Sequence, residues 1–177
     1  YEQGDSKQRD LIEKILNSLG SLGVDTISKM LTDSDDREVR KLSYEMMISK
    51  GELSRKWAVQ VLEDTSRPWF IHRNAMMILG KVSVDEADFA CVRKFHDHSN
   101  PKIREEVLNV AVSLKPHDGE ALVLKSINDE DPKVRWRALR AIQDFSPISE
   151  AAINDLLNII TLPIPKNNEE AEIHINK

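Results

Sequence analysis

One nine-residue pattern returns four times along the chain, as VRKLSYEMM from Val39, IHRNAMMIL from Ile71, IREEVLNVA from Ile103 and VRWRALRAI from Val134. The first apolar positions stand 32, 32 and 31 residues apart. A period of this length is the mark of a repeat architecture, in which each unit is too small to bury its apolar face alone and does so against its neighbours. Four residues into each copy come Ser43, Ala75, Val107 and Ala138, five in come Tyr44, Met76, Leu108 and Leu139, and eight in come Met47, Leu79, Ala111 and Ile142. Positions 0, 4, 5 and 8 share one side of a 3.6-residue helix, so each copy reads as a helix with a core-facing stripe.

A second signature precedes each copy: an apolar residue, any residue, then Asp, at Leu31 to Asp33, Leu62 to Asp64, Phe95 to Asp97 and Ile127 to Asp129. The segments that it closes predict amphipathic helices near 24–31, 53–62, 85–95 and 119–127, with Ile27, Ala58, Val61, Val92 and Val123 facing inward. Between the two helices of each pair lie Asp35-Asp36, Ser66-Arg67-Pro68, Asn100-Pro101 and Asp131-Pro132. Ser, Asp or Asn followed by Pro is a helix N-cap with Pro at the first helical position, so the second helix starts there. Residues 7–20, with Leu11, Ile12, Ile15 and Leu19 in the repeat's register, predict half a unit, and 149–161 another. The units span 24–50, 53–81, 85–115 and 119–145 within an array over 7–162; a polar segment, 1–6, precedes it. Pro163 and Pro165 end the pattern, and the polar residues 163–177 read as a disordered tail, in which alternating Ile173 and Ile175 leave an edge strand as the other reading.

Composition narrows the classes. The chain has 177 residues, 40% apolar and 31% charged, with six Gly and seven Pro, which suits a soluble globular or repeat protein and excludes collagen-like or low-complexity chains. No apolar run nears the ~20 residues of a membrane-spanning helix, and residues 1–10 are too polar for a signal peptide. A single cysteine, Cys91, rules out an internal disulfide and any multi-cysteine zinc site, so a reducing compartment, the cytoplasm, is expected. The net charge of -5 disfavours broad nucleic-acid binding but permits a local basic patch. Tyr1 in place of Met leads us to expect a processed chain or a module of a larger one.

A helix pair of about 32 residues carrying D, then P, then VR at the start of its second helix resembles the HEAT-like repeat, in the short bacterial form also seen in bilin lyases. The best copies are DEDPKVRWRALRAI, from Asp129, and DHSNPKIREEVLNVA, from Asp97; DSDDREVRKLSYEMM lacks the Pro, and the copy near Trp69 has an extra residue and places His72 where Arg40, Arg104 and Arg135 stand. The resemblance implies an all-α fold, a right-handed α-α superhelix (a HEAT-like α-solenoid) of about four full helix pairs plus flanking half-repeats. It also implies a structural ladder of Asp33 with Arg40, Asp97 with Arg104 and Asp129 with Arg135, the guanidinium reaching a carboxylate or carbonyl to align successive pairs. Tetratricopeptide repeats are set aside because the period and their Trp, Gly and Tyr positions do not match.

The chain offers little for catalysis. LGSLGV, with Gly20 and Gly23, lacks the strand and Lys-Ser/Thr of a phosphate loop and reads as a helix C-cap and turn. His96, Asp97 and His98 are ligand types without a second ligand pair nearby, so no metal or other cofactor is expected. Cys91, near Arg93 and Lys94, reads as a small buried hydrophobe.

The informative surface is the ridge of second helices. Repeat position 2 holds Lys41, Arg73, Glu105 and Trp136, and position 6 holds Glu45, Met77, Asn109 and Arg140; both face away from the core stripe, and in a solenoid of this kind would line its concave side. Trp, Met and Arg are enriched in protein interfaces, which makes Trp136, with Arg137 and Arg140, the leading contact site. Trp69-Phe70 is a second exposed-aromatic candidate, and Trp57 is assigned to packing. The expected function is a non-catalytic protein–protein scaffold. Alternatives from the same repeat are a nucleic-acid-binding protein, opposed by Glu45, Glu105 and Glu106 among the basic residues, and a bilin lyase-like enzyme or chaperone. Open array ends would permit self-association.

Overall fold

The computed structural model describes residues 11, 12, 14–16, 18–145, 149, 150, 153, 154, 156 and 157. Among them the protein is all-α, without a strand. Eight helices follow in chain order: α1 (Gly20–Asp33), α2 (Arg37–Ser49), α3 (Glu52–Glu63), α4 (Trp69–Val82), α5 (Phe89–Arg93), α6 (Pro101–Leu114), α7 (Gly119–Ser126) and α8 (Pro132–Ala141). Short 3-10 turns, Glu86–Asp88 and Ile142–Asp144, precede α5 and follow α8, and residues 11, 12, 14–16 and 18 are helical as well. By internal contacts the chain divides into Tyr1–Phe145 and Ser146–Lys177. The half-unit expected at 149–161 thus falls in the second part, where Ile153 N–H donates to Ser149 O at 3.1 Å. The segments 1–6 and 163–177 lie outside the described residues.

The helices pack in pairs, α1 on α2, α3 on α4, α5 on α6 and α7 on α8. The second members also meet one another in chain order, α2 with α4, α4 with α6 and α6 with α8, as do α1 with α3 and α3 with α5. Being packed on several sides widens the buried stripe of the second helices beyond the sequence reading. Position 7 is buried in all four copies (Met46, Ile78, Val110, Ala141), as are positions 4 and 8, whereas Tyr44 and Leu139 at position 5 are half-buried. Ile27, Ala58, Val61, Val92 and Val123 are all buried. Trp57 is half-buried against the cluster of Val24, Ile27, Leu31, Met46 and Met47.

Local chemistry explains the helix starts. Asp36, Asn100 and Asp131 each accept a hydrogen bond from the backbone N–H two residues on, at 2.8, 3.0 and 2.8 Å, and Pro101 and Pro132 occupy the first helical position. The Trp69 copy differs. Ser66 does not cap α4: its hydroxyl donates to Asp64 Oδ1 at 2.6 Å, and Pro68 stands one residue before the helix. The extra residue there moves the capping side chain out of reach of the helix N-terminus. The helix expected at 85–95 is a 3-10 turn followed by five α-helical residues, and Asp88 at their junction is drawn inward. Its carboxylate takes two hydrogen bonds of 2.6 Å from Arg55 on α3 and one of 2.6 Å from Ser83.

Two glycine assignments change. Gly20, at φ +54°, is the first residue of α1 rather than a cap ending the preceding helix. Gly23 lies inside α1, buried, where an added Cβ would come within 2.3 Å of the Leu16 carbonyl oxygen.

Candidate functional site

The repeat arginines act mainly within their own turn. Arg40 Nη1 donates to Ser34 O at 2.8 Å, Arg104 Nη1 to His98 O at 2.7 Å, and Arg135 Nη1 to Asp129 O at 2.8 Å, tying the start of each second helix to the loop before it. His72 does the same in the divergent copy: it is 1% exposed and its Nε2–H donates to Asp64 O at 2.9 Å. Its other ring nitrogen, Nδ1, is buried with no hydrogen-bond partner, and the ring lies against Phe95 with centroids 4.6 Å apart.

The expected ladder is therefore corrected. Asp97 does not pair with Arg104: it is exposed and receives Lys125 at 3.1 Å and His96 Nδ1–H at 3.0 Å. Nor do the side chains of Asp33 and Arg40 pair among the described residues, whereas Arg135 does reach Asp129, at its carbonyl rather than its carboxylate. The charge link runs instead from one pair to the next, with Arg104 gripping Asp129 through two hydrogen bonds of 2.8 and 2.7 Å. Burial opposes ionisation of Asp129, but the Arg104 bonds and the Asp131 N–H outweigh it and hold the carboxyl below its ordinary range.

Where α2, α4 and α6 lie side by side, two grooves open. A cavity of about 570 Å³ between α2 and α4 is lined by Arg37, Arg40, Lys41, Phe70, Arg73 and Met77, among others. A second, of about 390 Å³, between α4 and α6, is lined by Arg73, Met77, Lys81, Glu106, Asn109 and Arg137. Tyr44, Arg73 and Met77 border both, so the two form one trough. Of the residues chosen from sequence, Lys41, Arg73, Met77, Asn109 and Arg137 line this trough, whereas Glu45, Glu105, Trp136 and Arg140 do not. Glu45, Trp136 and Arg140 are exposed and Glu105 is partly so, Trp136 at 38%.

Sequence reasoning missed the centre of the second groove. Glu106 is buried, with Asn109 Nδ2 donating to it at 3.3 Å and Arg73 Nε 3.7 Å away, and Arg137 Nε donates to Asn109 Oδ1. Side chains of α4, α6 and α8 are thereby joined in one line. Burial, partly offset by Asn109 and the two arginines, pushes the Glu106 carboxyl above the usual carboxylate range. Burial also lowers the Arg137 guanidinium, and burial followed by the Glu106 charge raises the Tyr44 phenol. Repeat position 3 carried the signal: it holds Leu42 in the first copy but Asn74, Glu106 and Arg137 in the other three.

Trp69 and Phe70 are both partly exposed, at 37 and 41%, meet edge to face at 6.1 Å, and Lys102 Nζ stands 5.6 Å from the Trp69 ring centre. His96 and His98 do not converge. His96 Nε2 lies 2.9 Å from Ser126 Oγ, while His98 Nδ1 accepts from Asn100 N–H at 2.9 Å. Among the described residues no three His, Cys, Asp or Glu side chains are grouped to hold an ion. Cys91 is buried and donates to Asp88 O at 3.0 Å. Burial and then the Asp88 charge push its thiol up to about 11, against the smaller opposing pull of Lys94. No helix among the described residues is long and apolar enough to cross a membrane.

Comparison of the sequence with protein-family models and with characterised proteins finds no match.

Proposed function

We propose that this chain is a short HEAT-like α-solenoid serving as a non-catalytic scaffold, which holds a protein partner on the ridge formed by α2, α4, α6 and α8. The observation that carries this reading is the succession of contacts from α2 to α8. Helices stacked in this order present repeat positions 2, 3 and 6 on a common side, where side chains differ from copy to copy while the buried positions 4, 7 and 8 stay apolar in every copy but for Ser43. A surface that varies over a constant core supports a recognition role. The exposure of Trp136 beside Arg140 adds an interface-type pair at one end of the ridge.

The test compares the immobilised chain with a Trp136→Ala, Arg140→Glu variant for what each retains from nuclease-treated lysate of the source organism. Equal helical circular dichroism of the two is required first. A protein held by the wild type and lost by the variant is the expected result. Retention of the same set by both would remove this end of the ridge from the reading.

A further inference from the structure

We propose that the partner is an acidic peptide segment bearing an apolar anchor, laid along the groove between α2 and α4; the inference rests on the scaffold reading above and specifies its chemistry. In a chain of net charge -5, this groove is cationic: Arg37, Arg40, Lys41 and Arg73 line it against the single carboxylate of Asp35. Arg37 and Lys41 form no ion pair among the described residues, and both are exposed, one helical turn apart on α2. Arg40 uses Nη1 to hold Ser34 O, which fixes its guanidinium at the groove wall. Arg73 stands 3.7 Å from Glu106, beyond a hydrogen bond, so its guanidinium has donors left for a ligand. Between these charges the floor is apolar: Phe70 is 41% exposed, and Tyr44, Leu31 and Met77 border the same space.

The arrangement selects among anions. The cations are spread along the groove, with Arg37 and Lys41 on one wall and Arg73 on the other, which suits several separated carboxylates better than one compact dianion. α2 and α4 are in contact, at the ~8–10 Å axis separation of packed helices, so the groove is a furrow above their contact, and its volume of about 570 Å³ suits a short single chain. The α6 end of the trough holds Lys81 and Arg137 as well as the buried Glu106, so its single carboxylate is offset, and the preference for a peptide over a phosphate chain rests on the apolar seat. The exposed Phe70 and the flexible Met77 supply a seat for one aliphatic or aromatic side chain.

The test selects displayed random peptides on the immobilised full chain and measures the recovered peptides, made with a fluorophore, by anisotropy against the wild type and an Arg37→Glu, Lys41→Glu variant. Both replaced side chains are exposed, and a single Lys41→Ala variant serves if the double one loses helicity. The expected result is recovered peptides rich in Asp and Glu around a Leu or Phe, weakened roughly tenfold or more in the charge-reversed variant and by added salt. Recovery of neutral or basic peptides, or of acidic ones indifferent to the variant, would overturn the acidic-groove inference while leaving the scaffold reading in place. Equal affinity for single-stranded DNA of the same charge would overturn it in favour of nucleic acid. Recovery of no peptide at all would overturn both.

Discussion

Arg104 of α6 and Asp129, in the turn before α8, form a two-bonded ion pair at 2.8 and 2.7 Å, with their side chains only 7 and 12% exposed. The same guanidinium also donates to His98 O, so one side chain fastens its own turn and the following helix pair. Removing it strands a nearly buried carboxylate and a carbonyl. Arg104→Ala should cost about 3–4 kcal/mol of unfolding free energy, and Arg104→Lys should recover only part, because an ammonium cannot span both carboxylate oxygens. Urea unfolding of Arg104→Ala, Asp129→Ala and the double variant checks this; additive losses would show that the pair is not coupled.

Acid should weaken the fold first through His98. Burial, with the neighbouring His72 and Arg104 charges, lowers its folded value below the ordinary 6.5, so the unfolded chain takes up the proton first. The stability that His98 contributes is present above about 6.5 and is lost as the pH falls from there through its folded value. The melting temperature followed against pH should bend downward in this window, and less so in His98→Asn.

Glu106 has the opposite sign. Its folded value lies above the ordinary 4.5, so the charged form is disfavoured by folding, and stability declines as the pH rises from 4.5 through the folded value. Glu106→Gln, which keeps the Asn109 contact, should melt higher than the wild type at neutral pH and match it in acid. A lower melting temperature at neutral pH would mean that the Arg73 and Arg137 charges outweigh burial.

Much of the fold was legible because the repeat fixes helical phase four times over: a buried residue at positions 4 and 8 of every copy, and caps at Asp36, Asn100 and Asp131, follow from spacing and side-chain chemistry alone. What spacing does not encode is which neighbour a long side chain reaches. Arg104 stretches to the next pair rather than to Asp97, and Arg55 reaches 33 residues along the chain to Asp88. Ser66 fails as a cap because it stands two residues ahead of the N-cap position, which Pro68 occupies. Of the side chains that line the trough, Lys41, Arg73, Met77, Asn109 and Arg137 were among those chosen from the sequence. Glu106 was not, because a carboxylate on a helix reads as solvated until α4 and α8 are seen to cover it.

Gly23 tests the approach of α1 to the residues before it. A methyl group there would stand 2.3 Å from the Leu16 carbonyl oxygen, so Gly23→Ala should destabilise by about 2–3 kcal/mol. Gly20→Ala has open space around the added methyl and faces only the backbone cost of φ +54°, about 1 kcal/mol. Thermal melts of both variants should rank in that order.

Cys91 should resist alkylation. With its thiol raised to about 11 and its side chain buried, almost no thiolate is present at neutral pH, and iodoacetamide labelling of the folded protein should be far slower than that of the urea-unfolded chain at the same reagent concentration. Rapid labelling of the folded protein would contradict the burial.

The most direct measurement of the scaffold account places a photo-crosslinking residue singly at Lys41 and Trp136 on α2 and α8, and at Lys29 and Lys56 on α1 and α3, all four positions being exposed. Irradiated in nuclease-treated lysate of the source organism, the first two should yield an adduct with one discrete protein and the last two should not. Adducts of that protein from Lys29 and Lys56 alone would contradict the account and move recognition to the other layer of helices.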